Sequence, residues 1–183
     1  MDLDADVSDS KTFKRLAKIL PSDPILFTSD LKRTVLTAKA IARAGANLPR
    51  AIEEPAFREQ HFGIWQGKNR EKLSDTFNNK KHKFWIAPAF ERAPEGESFT
   101  DLVARVAPAI TNITADYAGN DIICVSHGGT IRAALAIALG IGPEKALSIA
   151  AANCSLTRIA YITAGQSNEG VWSIETINFD PSI

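Results

Sequence analysis

Three side chains in this sequence could together handle a bound anion: Arg33, Glu59 and His127. The guanidinium of an arginine is always charged, and its planar fork matches the oxygens of a phosphate. A histidine ring can donate a hydrogen bond or carry a charge. A glutamic acid whose pKa is raised by burial can give a proton to a leaving oxygen. These residues could therefore bind a phosphate ester and protonate it, provided that the fold brings them together.

His127 lies between a predicted strand and a predicted helix. The apolar run Ile122–Val125 is typical of a strand buried on both faces, and a helix is expected over 130–139. In an open α/β sheet, ligands bind at the carboxyl ends of the strands, and the N–H groups that begin a helix favour an anion. Gly128 allows the backbone to approach a ligand closely. We therefore expect a phosphate or carboxylate in contact with His127, the alternative being a structural histidine beside a plain turn.

Arg33 occupies a second junction of the same kind. Residues 25–28 predict a short strand, and a helix is expected from about 31 to 44. An arginine in the first turn of a helix opposes the helix dipole, and a nearby anion would relieve this conflict. An arginine solvated on an exposed helix face is the alternative. Three residues of the types that cap helix N-termini stand at the junction: Thr28, Ser29 and Asp30.

The rest of the chain alternates helices and strands. Helices are predicted over 11–20, over 98–116 with Ser98 in a capping box, and in a short stretch up to about 149. The final strands, 156–162 and 171–177, predict an antiparallel hairpin at a sheet edge. This order predicts an α/β fold, with an open, mostly parallel sheet in three layers, helices on both faces and an antiparallel edge strand.

Composition narrows the class of protein. The 183 residues are enough for one domain with a real core, and the 21 basic and 21 acidic residues balance, which argues against nucleic-acid binding. No apolar run is long enough to span a membrane, and the first ten residues carry no signal-peptide pattern. Cys124 and Cys154 fit reduced, buried thiols of a cytoplasmic protein, and no spacing suggests a metal site. Neither a metal nor another cofactor is expected, and no membrane partner is indicated.

Five ordered segments resemble the histidine phosphatase superfamily, in its phosphoglycerate mutase-like branch. Ser29–Ala38 resembles the family pattern S-x-L-x-R-(A/T)-x-x-T-A, and Glu59–Gly67 resembles E-x-x-(F/Y)-G-x-W-E-G. Pro94–Ser98 is similar to P-G-G-E-S, and Val125–Arg132 is similar to V-S-H-G-G-x-I-R. Asn153–Ser155 matches a late N-x-S. The resemblance covers nearly the whole chain and implies a single domain over residues 1–183.

The resemblance also implies roles for individual residues. Glu59 and His127 would be catalytic, and Arg33, His127 and Gly128 would bind the phosphate of the substrate. Of the other two histidines, His61 is expected to pack at the rim of the site and His82 to be solvated at the surface. No metal or other cofactor is implied.

One family feature is missing from the sequence. Members open with a strand that leads into Arg-His-Gly, whose histidine becomes phosphorylated. None of the three histidines here stands in that context or precedes Ser29. We therefore expect the first family strand to be absent and the domain to be N-terminally incomplete. Its absence would leave the strand before His127 with an unpaired edge.

The resemblance leaves three functions open. The first is a phosphatase acting on a small phosphorylated metabolite through a phosphohistidine, with the 183 residues themselves inactive for want of the nucleophile. The second is a catalytically dead protein that binds a phosphorylated ligand or partner. The third is a phosphoglycerate mutase, which the compact basic segment 68–92 argues against because family mutases carry a longer insertion there. Monomer and dimer both remain open.

Overall fold

The structure is a computed structural model that describes residues 2–68, 73, 82–163 and 170–183. The connection between the last two strands lies outside the described residues. So do four of the basic residues of segment 68–92: Arg70, Lys72, Lys80 and Lys81.

A small parallel sheet forms the centre of the fold. Its strands are β1 (Ile25–Thr28), β2 (Ile52–Glu53) and β3 (Ile122–Val125), in the order β2-β1-β3. Both neighbours run parallel to β1, and Thr28 of β1 lies opposite Val125 of β3. Thr28 and Val125 are the last residues of β1 and β3, so the segments that follow these two strands leave the sheet at the same edge. The prediction of a mostly parallel α/β sheet is confirmed.

Helices accompany the sheet, and two short 3-10 turns, Pro55–Phe57 and Gly63–Trp65, lie between β2 and the helix that begins at Phe99. The helices of the described chain are α1 (Ser10–Ile19), α2 (Lys32–Arg43), α3 (Phe99–Asp116), α4 (Gly128–Leu139) and α5 (Pro143–Ala146).

Helices cover both faces of the sheet, because alternate side chains of β1 point in opposite directions. On one face, Phe27 packs in a cluster with Leu102 and Val106 of α3 and Ala133 of α4. On the other face, Leu26 packs against Ala38 of α2. The packing explains the three-layer arrangement, since each fully buried Leu, Phe or Val side chain contributes about 1.5–3 kcal/mol to folding.

The structure corrects the prediction that β3 is buried on both faces. Ile123 is buried, whereas Ile122 and Cys124 are exposed. The reason is that β3 pairs with β1 alone, so within the described residues its other edge has no neighbouring strand. Both cysteines are free as expected; as whole residues Cys124 is exposed and Cys154 is half-buried, while burial raises the pKa of both thiols.

The last two strands form the predicted antiparallel hairpin. They are β4 (Leu156–Thr163) and β5 (Gly170–Phe179), with Tyr161 opposite Trp172 and their rings 4.9 Å apart. In the part of the chain that the structure describes, the two strands pair only with each other, as a separate two-stranded sheet, so the prediction that they form an antiparallel edge of the parallel sheet is wrong.

Two helix starts differ from their predictions. Leu31 is the N-cap of α2 and makes no capping bond through its side chain, so none of the three predicted residues occupies that position. Instead, Asp2 Oδ1 accepts the Lys32 N–H at 2.8 Å. Helix α4 begins at Gly128, two residues earlier than predicted, because the extended backbone of His127 lets its carbonyl accept the Ile131 N–H at 2.8 Å.

The start of α3 agrees with its prediction. Ser98 Oγ accepts the Asp101 N–H at 3.1 Å, and the Asp101 carboxylate accepts the Ser98 N–H at 2.8 Å. The two bonds form the predicted capping box. None of the described helices combines the length and the apolar character that crossing a bilayer requires.

Thr28, at the end of β1, offers a test of the sheet. Its side chain is fully buried, and its Oγ1 makes no hydrogen bond to any described residue. Replacing an unsatisfied buried hydroxyl by a methyl of similar shape removes a desolvation cost. We expect Thr28→Val to raise the free energy of unfolding by about 1 kcal/mol, measured by urea denaturation. A loss of stability would show that the hydroxyl has a partner.

Candidate active site

The pairing of β1 with β3 brings two of the predicted site residues together. Arg33 stands in the first turn of α2 and His127 immediately precedes α4, although they are 94 positions apart. Arg33 Nε donates a hydrogen bond to His127 Nδ1 at 3.1 Å. The other ring nitrogen, Nε2, lies 2.8 Å from the Oγ of the buried Ser29. His127 therefore has a polar partner at each nitrogen.

The surroundings of His127 favour its neutral form. Its side chain is buried, and this burial is the main reason why its pKa falls to about 4. The positive charges of Arg33 and Arg105 lower the pKa further, and the carboxylate of Asp30 opposes them. A histidine in this environment stays uncharged at neutral pH and can accept a proton at Nδ1 only if an anion compensates the new charge.

Glu59 lies beside the start of α4. Its Oε2 accepts the Gly129 N–H at 3.1 Å, and its Oε1 accepts the Gln60 N–H at 2.9 Å. A Cβ at position 129 would come within 2.1 Å of Glu59 Oε1, so this approach requires a glycine. Burial raises the pKa of Glu59, against the two hydrogen bonds and the charges of Arg33 and Arg132.

The surroundings of Glu59 and His127 thus shift the pKa values of these two side chains in opposite directions. The pKa of the carboxyl group is raised, so its protonated form is favoured, whereas the pKa of the imidazole is lowered, so its neutral form is favoured. Such a divided pair is typical of sites that carry out acid–base chemistry.

The start of α4 is occupied differently from the sequence prediction. The sequence suggested that the N–H groups at the start of α4 would bind a ligand, but the N–H of Gly129 is taken by Glu59. Gly128, the predicted phosphate-binding residue, lies against Arg132, whose Nη1 would be 3.1 Å from a Cβ at position 128. Arg132 Nε donates to the Ile149 carbonyl at 2.7 Å, and its guanidinium stacks 4.8 Å from the Trp85 ring.

The loop before Glu59 is held by side chains from two helices and from the end of β3. Ser126 Oγ donates to the Phe57 carbonyl at 2.9 Å, and Thr130 Oγ1 donates to the Arg58 carbonyl at 3.0 Å. Arg105 of α3 donates to the Arg58 carbonyl at 3.3 Å and to the Glu97 carboxylate at 2.6 Å. These bonds explain how an irregular loop can hold Glu59 in one place.

Charged residues that sequence reasoning missed surround an open cavity of about 990 Å³, which Arg33 and Glu59 also line. Arg58, another lining residue, forms an ion pair with Asp30. Arg105 and Glu97 form a second ion pair on its wall. Arg58 directly precedes Glu59, and Glu97 lies within Pro94–Ser98, so their sequence positions could have indicated them. Nothing in the sequence pointed to Arg105.

The other two histidines lie apart from the Arg33–His127 pair. His61 lines the cavity, as expected for a residue at its rim. His82 is less exposed than predicted: its side chain is only 12% exposed, and its Nε2 lies 3.5 Å from a carboxylate oxygen of Glu144. Within the described part of the chain, His, Cys, Asp and Glu side chains form no group of three or more that could hold a metal.

Comparison with known families identifies the superfamily of the chain. The model of the histidine phosphatase superfamily (branch 1) matches residues 9–177, a range that includes Arg33, Glu59 and His127. The chain belongs to this superfamily. A similar relative of this chain is a Photorhabdus laumondii protein named probable phosphoglycerate mutase GpmB. It is 31% identical over 152 residues, which make up 82% of this chain and 69% of the relative.

Solved structures share the fold of this superfamily member. A mycobacterial glucosyl-3-phosphoglycerate phosphatase has a TM-score of 0.79 at 22% identity, covering 98% of this chain and 90% of its own. Bacillus stearothermophilus YhfR has a TM-score of 0.77 at 22% identity, covering 96% of this chain and 86% of its own. At these identities the similarity is one of fold.

The lowered pKa of His127 predicts how stability depends on pH. Between about pH 6.5 and 4 the unfolded histidine binds a proton that the folded one does not, so the free energy of unfolding falls as pH falls. The loss is at most about 3 kcal/mol. His127→Gln should weaken this dependence, measured by urea denaturation from pH 7.5 to 4.

His61→Gln serves as the control, because it changes a histidine outside the Arg33–His127 pair. The raised pKa of Glu59 has the opposite sign, favouring the folded state as its carboxyl becomes protonated. The difference between wild type and His127→Gln therefore isolates the imidazole. Equal pH slopes for wild type and His127→Gln would mean that His127 titrates alike in both states.

Proposed function

We propose that this protein is a phosphomonoester phosphatase that works through a phosphohistidine intermediate in its complete form. The observation that supports the proposal is the contact of Arg33 with His127 at the carboxyl edge of the sheet, 3.1 Å from Nε to Nδ1. Glu59 reaches the start of the helix that follows His127. A cation and a carboxyl group favoured in its acid form thus line one cavity, and the neutral imidazole of His127 contacts the cation.

Each residue has a distinct role in the proposed reaction. Arg33 binds the phosphoryl oxygens and stabilises their charge, which is a large part of catalysis in phosphoryl transfer. His127 contacts the same phosphoryl group through the side of its ring that faces Arg33, where Nδ1 lies. Glu59, whose protonated form is favoured by burial, gives its proton to the ester oxygen as the alcohol leaves.

The covalent step needs a histidine that these 183 residues do not supply. His127 has Arg33 at one nitrogen and Ser29 at the other, and neither His61 nor His82 stands in an Arg-His-Gly sequence. We therefore propose that the nucleophile comes from sequence outside these residues, and that the 183 residues alone bind phosphate without turning over esters. The DNA upstream of Met1 tests this directly, by the presence or absence of an in-frame Arg-His-Gly.

Substrate and reaction type remain narrower proposals. The substrate would be a small phosphorylated metabolite, since Arg33 lines an open cavity of about 990 Å³ that has room for a compact anionic ester. The name of the Photorhabdus relative favours a mutase and that of the mycobacterial structure a phosphatase. We favour the phosphatase because residues 68–92 are few for a mutase insertion.

Phosphate binding tests the site without requiring turnover. The 183-residue chain should bind inorganic phosphate, and Arg33→Ala should weaken binding about 10- to 100-fold, the loss expected for one charge-assisted contact. Titration calorimetry at pH 7 measures both. Arg43→Ala, at the far end of the same helix, is the matched control and should bind as wild type does. Equal affinities for wild type and Arg33→Ala would contradict the proposed site.

Turnover separates the enzyme from a phosphate-binding protein without activity. We expect the 183 residues to release no nitrophenol from p-nitrophenyl phosphate, because the covalent step lacks its nucleophile. A chain extended through an upstream Arg-His-Gly should be active and should lose that activity on His127→Ala. If the extended chain binds phosphate and stays inactive, the binding function is the correct one. Turnover by the 183 residues that survives His127→Ala would show a different nucleophile.

A further inference from the structure

The hydrogen bonds of His127 continue into the protein beyond Ser29. Ser29 Oγ lies 2.9 Å from Thr34 Oγ1, and both residues are buried. Thr34 Oγ1 also lies 2.8 Å from the Leu31 carbonyl oxygen and 2.9 Å from the Ser29 carbonyl oxygen. The chain of contacts therefore runs from His127 to Ser29, then to Thr34, and ends at main-chain carbonyls of the turn before α2.

The direction of each proton in this chain follows from counting donors. A hydroxyl has one proton, and a carbonyl oxygen can only accept. The Thr34 hydroxyl must therefore donate to a carbonyl, which leaves Ser29 Oγ as the donor to Thr34 Oγ1. Ser29 Oγ then has no proton left for His127, so it accepts one from Nε2–H. It also accepts the Leu31 N–H at 3.3 Å.

The opposite side of the ring leads to the same conclusion. The Nε of an arginine always carries a proton, so a hydrogen bond from Arg33 Nε requires an unprotonated nitrogen at His127 Nδ1. Two sets of contacts, from the buried and the cavity side, thus select one tautomer. The electrostatic surroundings of the ring are Arg33, Arg105 and Asp30.

We infer that Ser29 and Thr34 are positioning residues, which hold His127 with its proton on Nε2 and direct the lone pair of Nδ1 towards Arg33. The inference deepens the proposed function, on which its importance for phosphate binding rests. A phosphoryl group beside Arg33 meets a proton acceptor at Nδ1. For a phosphoryl oxygen to hydrogen-bond Nδ1 itself, Arg33 Nε would have to give up that lone pair, and the contact would need a proton on the phosphoryl oxygen or on the ring.

Nitrogen NMR of the imidazole rings tests the tautomer. The chain has only three histidines, so the ring signals of ¹⁵N-labelled protein can be assigned with His61→Gln and His82→Gln. At pH 7 we expect His127 to show a protonated Nε2 and an unprotonated Nδ1. A protonated Nδ1 in the wild-type protein would overturn the inference, and this measurement needs no variant of Ser29 or Thr34.

Variants then ask whether the buried hydroxyls, rather than Arg33, hold the tautomer. In Arg33→Ala the proton should stay on Nε2, because Ser29 and Thr34 are unchanged. Adding Thr34→Val frees the Ser29 proton to turn towards the ring, and the two ¹⁵N signals of His127 should move towards each other as both tautomers become populated. Adding Thr34→Ser instead should restore the pattern of Arg33→Ala.

Thr28→Val in the Arg33→Ala background is the matched control. It removes a buried threonine hydroxyl one residue before Ser29 that has no hydrogen-bond partner among the described residues. We expect it to leave the His127 signals unchanged. The opposite result is that the ¹⁵N signals of His127 stay in place when Thr34→Val is added to a protein whose amide spectrum shows an intact fold. That result would overturn the positioning role of Ser29 and Thr34.

Inorganic phosphate separates this inference from the proposed function. If phosphate binds while ligand-free His127 carries its proton on Nδ1, the tautomer inference fails and the phosphate site stands. If His127 is protonated on Nε2 but phosphate does not bind, the proposed function fails and the positioning role of Ser29 and Thr34 stands.

Discussion

The parallel pairing of β1 with β3 is the constraint on which the site depends. Thr28 lies opposite Val125, so Ser29 and His127 leave the sheet at the same level and at the same edge. Parallel strands need crossover connections, and residues that are far apart in sequence can therefore meet at their ends. A one-residue slip of this register would turn the side chains of β3 to the opposite face and separate His127 from Ser29.

Burial around this edge separates the two titratable groups. Glu59 and His127 are both withdrawn from water, and burial disfavours whichever form is charged. It therefore raises the pKa of the carboxyl group and lowers that of the imidazole, and the positive charges nearby act against the first shift and add to the second. One physical effect thus favours a proton donor at Glu59 and a neutral ring at His127 within a few ångströms of helix α4.

Much of this arrangement could be predicted because it depends on local patterns. The strand–turn–helix patterns around Arg33 and His127 predicted the strands and helices there and their meeting at one edge of the sheet. The exposure of β3 could not be read from Ile122–Val125, since an apolar run shows that a strand is suited to burial and says nothing of how many strands pair with it. The contacts of Arg105 and the hydrogen bonds between Ser29, Thr34 and His127 could not be predicted from the sequence either, because they depend on three-dimensional distances.

The open edge of β3 and the candidate site lie on the same strand, yet the site is supported from elsewhere. His127 is held by Ser29 and Arg33, which follow β1 on the paired side of the sheet. Glu59 is fixed through Gly129 of α4, and its loop through Arg105 of α3. Ser126, directly after β3, also holds this loop, through its side chain and not through the unpaired backbone edge of the strand. These contacts of the candidate site therefore do not require a strand beside β3, and under the proposed function such a strand would add the nucleophile to residues already in place.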